Sequence, residues 1–271
     1  MNRTQLLPDR PGIPPMAPMP EAEVIDPAAL ADAYRRGDID LICVVGPTAS
    51  GKTRYAVTLS HALEGFCQTP PEIISADSRQ VYRGMDIGTG KDLCEYGDVP
   101  YHLIDIVPAG EEYNIYQYQA AFADAWAEVS SKGAIPILCG GSGLYIEAAT
   151  KAYQFDKGNG VDPSRLPRKP YYIGTLVSRE ERVARIDRRL DERLGEGLVE
   201  EVRTLLETVP SERLIRYGLE YKFVTQYVIG ELSYDDMVVA LGNAIHQFAK
   251  RQMTWFRGME RDGIRIHWTR P

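Results

Sequence analysis

Gly46-Pro-Thr-Ala-Ser-Gly51-Lys52-Thr53 follows a short apolar run, Leu41–Val45, and leads into a stretch with helical character, Thr53–Leu63. It fits G-x-x-x-x-G-K-[S/T], and a strand before it with a helix after it is the context that the pattern requires. Glycine lets the backbone curl so that successive N–H groups point at anionic oxygens. The helix that follows adds the positive end of its dipole. Gly46, Ala49, Ser50, Gly51, Lys52 and Thr53 are therefore candidate phosphate-binding residues. Lys52 is placed to reach the outer phosphate and the Thr53 hydroxyl to bind Mg²⁺. Such a loop marks a phosphate chain and not a reaction, because kinases, hydrolases and transferases all use it.

Outward from this loop, strand and helix signals alternate. Glu72–Ser75, His102–Val107, Ile135–Cys139 and Tyr171–Val177 read as strands, and Ile115–Ser130 and Gly143–Ala152 as helices. Upstream, Asp26-Pro27 is an N-cap followed by proline, ahead of a helix over Ala28–Arg36. This alternation predicts an α/β fold, a parallel sheet flanked by helices. Past Val177 the chain turns mostly helical. Ser178-Arg-Glu-Glu181 is a capping box for a helix to about Leu194, Glu196–Glu207 is another, and Ser233-Tyr-Asp-Asp236 caps a long stretch to about Phe256.

The chain has 271 residues, 44% hydrophobic and 25% charged, enough for a sizeable core. Lys and Arg total 31 against 38 Asp and Glu, a formal charge of −7, so no global basic field points to nucleic acid. Cys43, Cys67, Cys94 and Cys139 form no C-x-x-C pair, which argues against a zinc site or a disulfide scaffold. No apolar run reaches the ~18–20 residues of a membrane span, and Met1–Arg10 has no apolar centre for a secretion signal. A cytoplasmic protein without a membrane partner, acting as a monomer, is expected. Six prolines among residues 1–20 predict a disordered tail over 1–22, leaving one domain over 23–271.

Two further clusters fall where strand ends face a ligand crevice in open α/β sheets. Asp77, just past Glu72–Ser75, reads either as a general base or metal ligand, or as a turn or helix-cap aspartate. Asp105 is the alternative acid for Mg²⁺. Gly140-Gly141-Ser142-Gly143 is a second glycine-rich turn from strand to helix. Near the end, Leu241–Pro271 holds six Lys or Arg (Lys250, Arg251, Arg257, Arg261, Arg265, Arg270) against Glu260 and Asp262. That stretch fits contact with diphosphate or RNA phosphates, or a solvated helix end complementing the dipole.

Taken together, Gly46–Thr53 (GPTASGKT), Ser75–Lys91 (SADSRQVYRGMDIGTGK), His102–Ile106 (HLIDI), Pro136–Tyr145 (PILCGGSGLY) and Ala249–Trp255 (AKRQMTW) resemble the tRNA dimethylallyltransferase (isopentenyltransferase) family. The resemblance spans about 41–149 and 179–268. It implies a phosphate-loop fold holding dimethylallyl diphosphate, whose allyl group passes to the exocyclic amine of the adenine 3′ of the anticodon in tRNA. Asp77 matches the family's base and Thr48 the threonine at the bridging oxygen. The loop residues with Arg251 would bind diphosphate, with Mg²⁺ held through Thr53. Ser78, Gln80, Thr89, Gly141 and Ser142 would bind the adenine substrate.

Three departures from the family pattern stand out. His246 replaces the arginine that should clamp diphosphate, and a histidine is only partly charged at neutral pH. Gly218-Leu-Glu-Tyr221-Lys222 replaces a Gly-Tyr-Arg/Lys-Gln/Glu segment. A short loop, 155–170, stands where the family has a helical insertion that helps to grip the anticodon stem. Prenylation of free adenine nucleotides is therefore an alternative, as are a kinase and a catalytically weakened binding protein.

Overall fold

The computed structural model describes residues 20–151 and 160–271. The tail expected over 1–22 lies outside them except for residues 20–22, and so do residues 155–159 of the loop expected over 155–170. Six strands form one parallel sheet: β1 (Leu41–Val45), β2 (Glu72–Ser75), β4 (Tyr101–His102), β6 (Pro136–Gly140), β7 (Pro170–Thr175) and β8 (Ile266–Thr269). Their order is β4-β2-β6-β1-β7-β8, so β1 and its loop sit near the middle, with β6 on one side and β7 on the other.

Buried strands of a parallel sheet present alternate side chains to two apolar layers. Leu41, Cys43 and Val45 of β1 pack into one cluster, and Ile42 and Val44 into the other. On the second face lie α1 (Pro27–Arg35) and α2 (Lys52–Glu64). The first face carries α3 (Ile115–Ser131), α4 (Gly143–Thr150), α5 (Arg179–Gly195), α6 (Leu198–Leu206), α7 (Ser211–Leu214), α8 (Leu219–Val228) and α9 (Tyr234–Arg261). The sequence's caps account for the helix starts. The Asp26, Ser178 and Ser233 side chains accept from first-turn amides, and Asn114 with Gln117 completes a capping box for α3.

The expected strand His102–Val107 is broken. Its ends survive as β4 and as β5 (Val107–Pro108), which pairs with β3 (Tyr82–Arg83) in a separate two-stranded sheet. Between them Leu103 (φ 63°) and Asp105 (φ 57°) adopt left-handed backbone, which no strand accommodates. A buried cation compensates. Lys91 Nζ donates to Tyr82 O and to Asp86 Oδ1, each at 2.6 Å, and to the Asp105 carboxylate. The sixth strand, β8, was not anticipated; its short run of four residues follows the long α9 after a Gly263 turn.

Candidate active site

The phosphate loop is shaped by close packing on both sides. A Cβ on Gly46 would fall 2.2 Å from Thr175 Oγ1 and 2.6 Å from Ser50 Oγ. Those two buried hydroxyls are 2.6 Å apart and tie the loop to the end of β7. Ala49 (φ 60°) and Gly51 (φ 80°) turn the backbone through left-handed conformations into α2. Gly51 is the N-cap and brings no side chain to the first-turn amides, which are left for an anion.

Gln252 of α9 braces this loop. Its Oε1 accepts from Thr48 N–H at 2.8 Å, and its Nε2 donates to Gly141 O at 2.8 Å. One buried amide therefore joins the two glycine-rich turns. A Cβ on Gly141 would meet Gln252 Nε2 at 2.6 Å and Gly46 O at 2.8 Å, so the turns approach as closely as glycine allows.

Beside the loop, Asp77 extends from the end of β2 into the same cleft as Thr48, Lys52, Thr53, Gln80 and Thr89. Its Oδ1 accepts from Arg79 N–H at 3.0 Å and lies 3.8 Å from Arg79 Nε. The turn reading of Asp77 is thus realised, and the cleft placement is realised with it. Burial pulls the Lys52 ammonium below its ordinary range, while Cys139 and Asp77 draw it back up. The segment after Asp77 is held from two sides, by Lys91 and by the Glu201 carboxylate. Glu201 accepts from the N–H groups of Asp86 (2.8 Å), Ile87 (2.7 Å) and Gly88 (3.0 Å) and from Tyr221 Oη–H (2.7 Å).

The other expected residues take different places. Gly46 and Ser50 pack against Thr175 and do not line the cleft, whereas Ala49 and Gly51 line an adjoining lobe with Arg185, Arg188 and Arg189. Ser78 N–H donates to Ser142 Oγ at 3.1 Å, and Ser142 donates to Ser78 Oγ at 3.3 Å. That pair packs beside the cleft and does not line it. Gln80 Nε2 donates to Gly90 O at 3.2 Å, and Thr89 Oγ1 to Met85 O at 2.5 Å, so both cleft residues also serve the fold. Arg251 is exposed and does not line the cleft, its guanidinium 5.9 Å from the centroid of the Phe248 ring, which does. Asp105 is engaged by Lys91 and lines no part of the cleft, so the alternative acid for Mg²⁺ is not brought to the loop. His246 pairs with Asp187 at 2.8 Å, also outside the cleft lining.

The cleft's further cations were not anticipated: Arg79, Arg189 and Arg193. Opposition from burial is outweighed for Arg79 by Glu220 and Asp77, which hold its charge more firmly than usual. Among the described residues no three or more His, Cys, Asp or Glu side chains gather as a metal cage. The donors here, a threonine hydroxyl beside an anion cradle, suit a hard cation held mainly by phosphate oxygens and water.

A family model described as IPP transferase matches residues 80–168 and 154–259, well over half of the chain. The chain belongs to the IPP transferase family. Within it, a protein from Bacteroides fragilis named tRNA dimethylallyltransferase 2 is 44% identical, over 85% of this chain and 92% of its own length. One from Parabacteroides distasonis, named tRNA dimethylallyltransferase 1, is 45% identical over 84% of this chain and 92% of its own. The solved structure of a tRNA isopentenylpyrophosphate transferase from Bacillus halodurans superposes with a TM-score of 0.72 at 28% identity, over 85% of this chain and 89% of that one. The residues that the family model matches include α5 and most of α9, the helices that send side chains into the cleft.

Proposed function

We propose that the chain transfers a dimethylallyl group from dimethylallyl diphosphate to the exocyclic amine of an adenine in tRNA, the adenosine 3′ of the anticodon. The observation that carries this reading is the position of the Asp77 carboxylate in one cleft with Thr48, Lys52 and the phosphate loop. The names of the relatives support it. An adenine amine is delocalised into its ring and is a weak nucleophile, so a base must take its proton as the new bond forms. Asp77 is that base. The C–O bond of the donor breaks with its electron pair on diphosphate, and preorganised donors at the loop take up the growing charge. The loop amides and Lys52 face the diphosphate, and the Thr48 hydroxyl meets the bridging oxygen. Thr53 is the residue that would hold Mg²⁺, which when bound offsets charge on the leaving group.

The Bacteroides fragilis alignment runs over 289 positions, more than the 271 residues of this chain, while taking in only 85% of it. Part of the relative therefore has no counterpart here, and the family match itself restarts within 154–168. We place the missing insertion at loop 155–170, so RNA is gripped over less surface and recognised mainly through a base drawn out of its stack. A compact chain of this kind would also suit a free adenine nucleotide as acceptor. Among the described residues no helix is long and apolar enough to cross a membrane.

Incubation with dimethylallyl diphosphate and either an anticodon stem-loop or AMP, read by mass spectrometry, tests the reading. Prenylated stem-loop is the expected product. Prenyl transfer to AMP alone would reassign the acceptor, and a phosphorylated product in a parallel incubation with ATP in place of the prenyl donor would make the protein a kinase.

A further inference from the structure

His246 pairs with Asp187 outside the cleft, so position 246 does not supply the diphosphate clamp that the resemblance implies. A guanidinium of comparable use sits on another helix. Arg193 lies in the buried seam of α5 with Ile186 and Leu190 and is 9% exposed. Its Nη1 donates to Glu220 Oε1 at 3.2 Å, and the other Glu220 oxygen accepts from Arg79 Nη1 at 2.6 Å. Glu220, in the first turn of α8, is 3% exposed.

The two guanidiniums are also fixed by glycines. A Cβ on Gly90 would stand 1.8 Å from Arg193 Nη2, and one on Gly218 would stand 2.8 Å from Arg79 Cδ. One carboxylate thus serves two cations, and with Lys52 and Arg189 the cleft's four cations outnumber Glu220, Asp77 and Asp92, the partner of Arg189. Burial, with Arg189 alongside, draws Arg193 down to about 10, which still leaves it charged at neutral pH.

We propose that Arg193, oriented by Glu220, contacts the diphosphate of the donor as a cationic clamp. Glu220 is then a positioning residue. The assignment rests on the dimethylallyl-transfer reading for the identity of the anion. A guanidinium already locked by a buried carboxylate loses little freedom on binding. The bond to Glu220 uses Nη1, and the planar fork has further N–H groups suited to phosphate oxygens. As the donor's C–O bond breaks, those N–H groups meet oxygens whose charge is growing.

The test titrates inorganic pyrophosphate into the full-length chain by calorimetry and measures donor KM and kcat with a stem-loop acceptor. Arg193→Met should weaken pyrophosphate about tenfold or more and raise donor KM by a similar factor, the cost of one charge-assisted contact. Arg193→Lys keeps the charge without the fork and should fall between the two, so it decides the matter if the methionine variant does not fold. Glu220→Gln should shift pyrophosphate affinity in the same direction by less, with kcat changed less than KM. His246→Arg should leave pyrophosphate affinity within about twofold, as for a side chain outside the site.

Unchanged pyrophosphate affinity in both Arg193 variants overturns the clamp. Tighter pyrophosphate binding in Glu220→Gln would show that Glu220 merely opposes the charge and overturns its positioning role. Prenyl transfer with pyrophosphate affinity indifferent to Arg193 sinks this inference and spares the reaction. Arg193-dependent pyrophosphate binding without transfer to any adenine does the reverse.

Discussion

Helices α5 and α9 are both long and rich in arginine, yet they meet the cleft in opposite ways. Helix α9 holds the basic residues that stand out in the sequence, Lys250 and Arg251, but both are exposed and neither lines the cleft. What α9 sends inward is uncharged: the Phe248 ring and the Gln252 amide. Helix α5, which the sequence marks only as a capped helix, sends Arg189 and Arg193. A tally of charge along a helix says nothing about its facing direction; the apolar period sets that. The seam of α5 runs Ile186, Leu190, Arg193, and that of α9 runs Ile245, Ala249, Gln252, Phe256. In each helix one polar residue occupies a position where the period calls for an apolar one. In each it is buried because it bonds across the site. A polar residue in an apolar seam is thus the signal by which both could have been found.

Four tests sharpen or break this contrast, and the acid of the cleft sets the scale. Asp77→Asn should lower kcat ~10²-fold or more with pyrophosphate affinity nearly intact, because only proton acceptance is lost. Equal turnover by the two proteins would remove Asp77 from the chemistry. Next comes the seam of α9. Gln252→Leu leaves the Thr48 N–H and the Gly141 carbonyl without their partner, at about 1–3 kcal/mol per buried group. A clear drop in Tm together with weaker pyrophosphate binding is expected; an unshifted Tm would show that the amide bridge carries no strain of the loop.

The third pairs the two helices directly. Arg189→Met should raise donor KM about tenfold, whereas Arg251→Met should leave it within about twofold and reduce the salt slope of stem-loop binding by about one. Equal effects on donor KM would erase the distinction drawn here. Smallest of all, His246→Gln should shift donor KM by less than about twofold, since it removes one partly exposed pair with Asp187. A tenfold rise would restore His246 to the site.

Much of the architecture was legible because it is local. The apolar runs Leu41–Val45 and Glu72–Ser75 are strands with those bounds, and the Asp26, Ser178 and Ser233 caps open helices where expected. Reading failed where a distant partner overrides local preference. The apolar residues of His102–Val107 favour a strand, but Lys91 holds Asp105 in a left-handed turn and the strand parts in two. Ile266–Thr269, in the basic stretch after α9, carries no strand signal in the sequence and is a strand because Tyr172–Thr175 of β7 pair with it. Within the candidate site, Thr48, Lys52, Thr53, Asp77, Gln80 and Thr89 converge on the cleft, but the Ser78–Ser142 pair and Arg251 do not line it.

The amino-acid sequence alone determined the anion cradle, the alternating sheet and the acid beside the loop. Each is set by contiguous residues: glycine torsions, a helix start, the first turn past a strand. Only the folded chain decided which cations face that cradle. Glu220 reaches Arg193 across 27 positions, and Gln252 reaches Thr48 across 204. A side chain's orientation over such separations is set by how helices pack on the sheet, and no short window of sequence contains it.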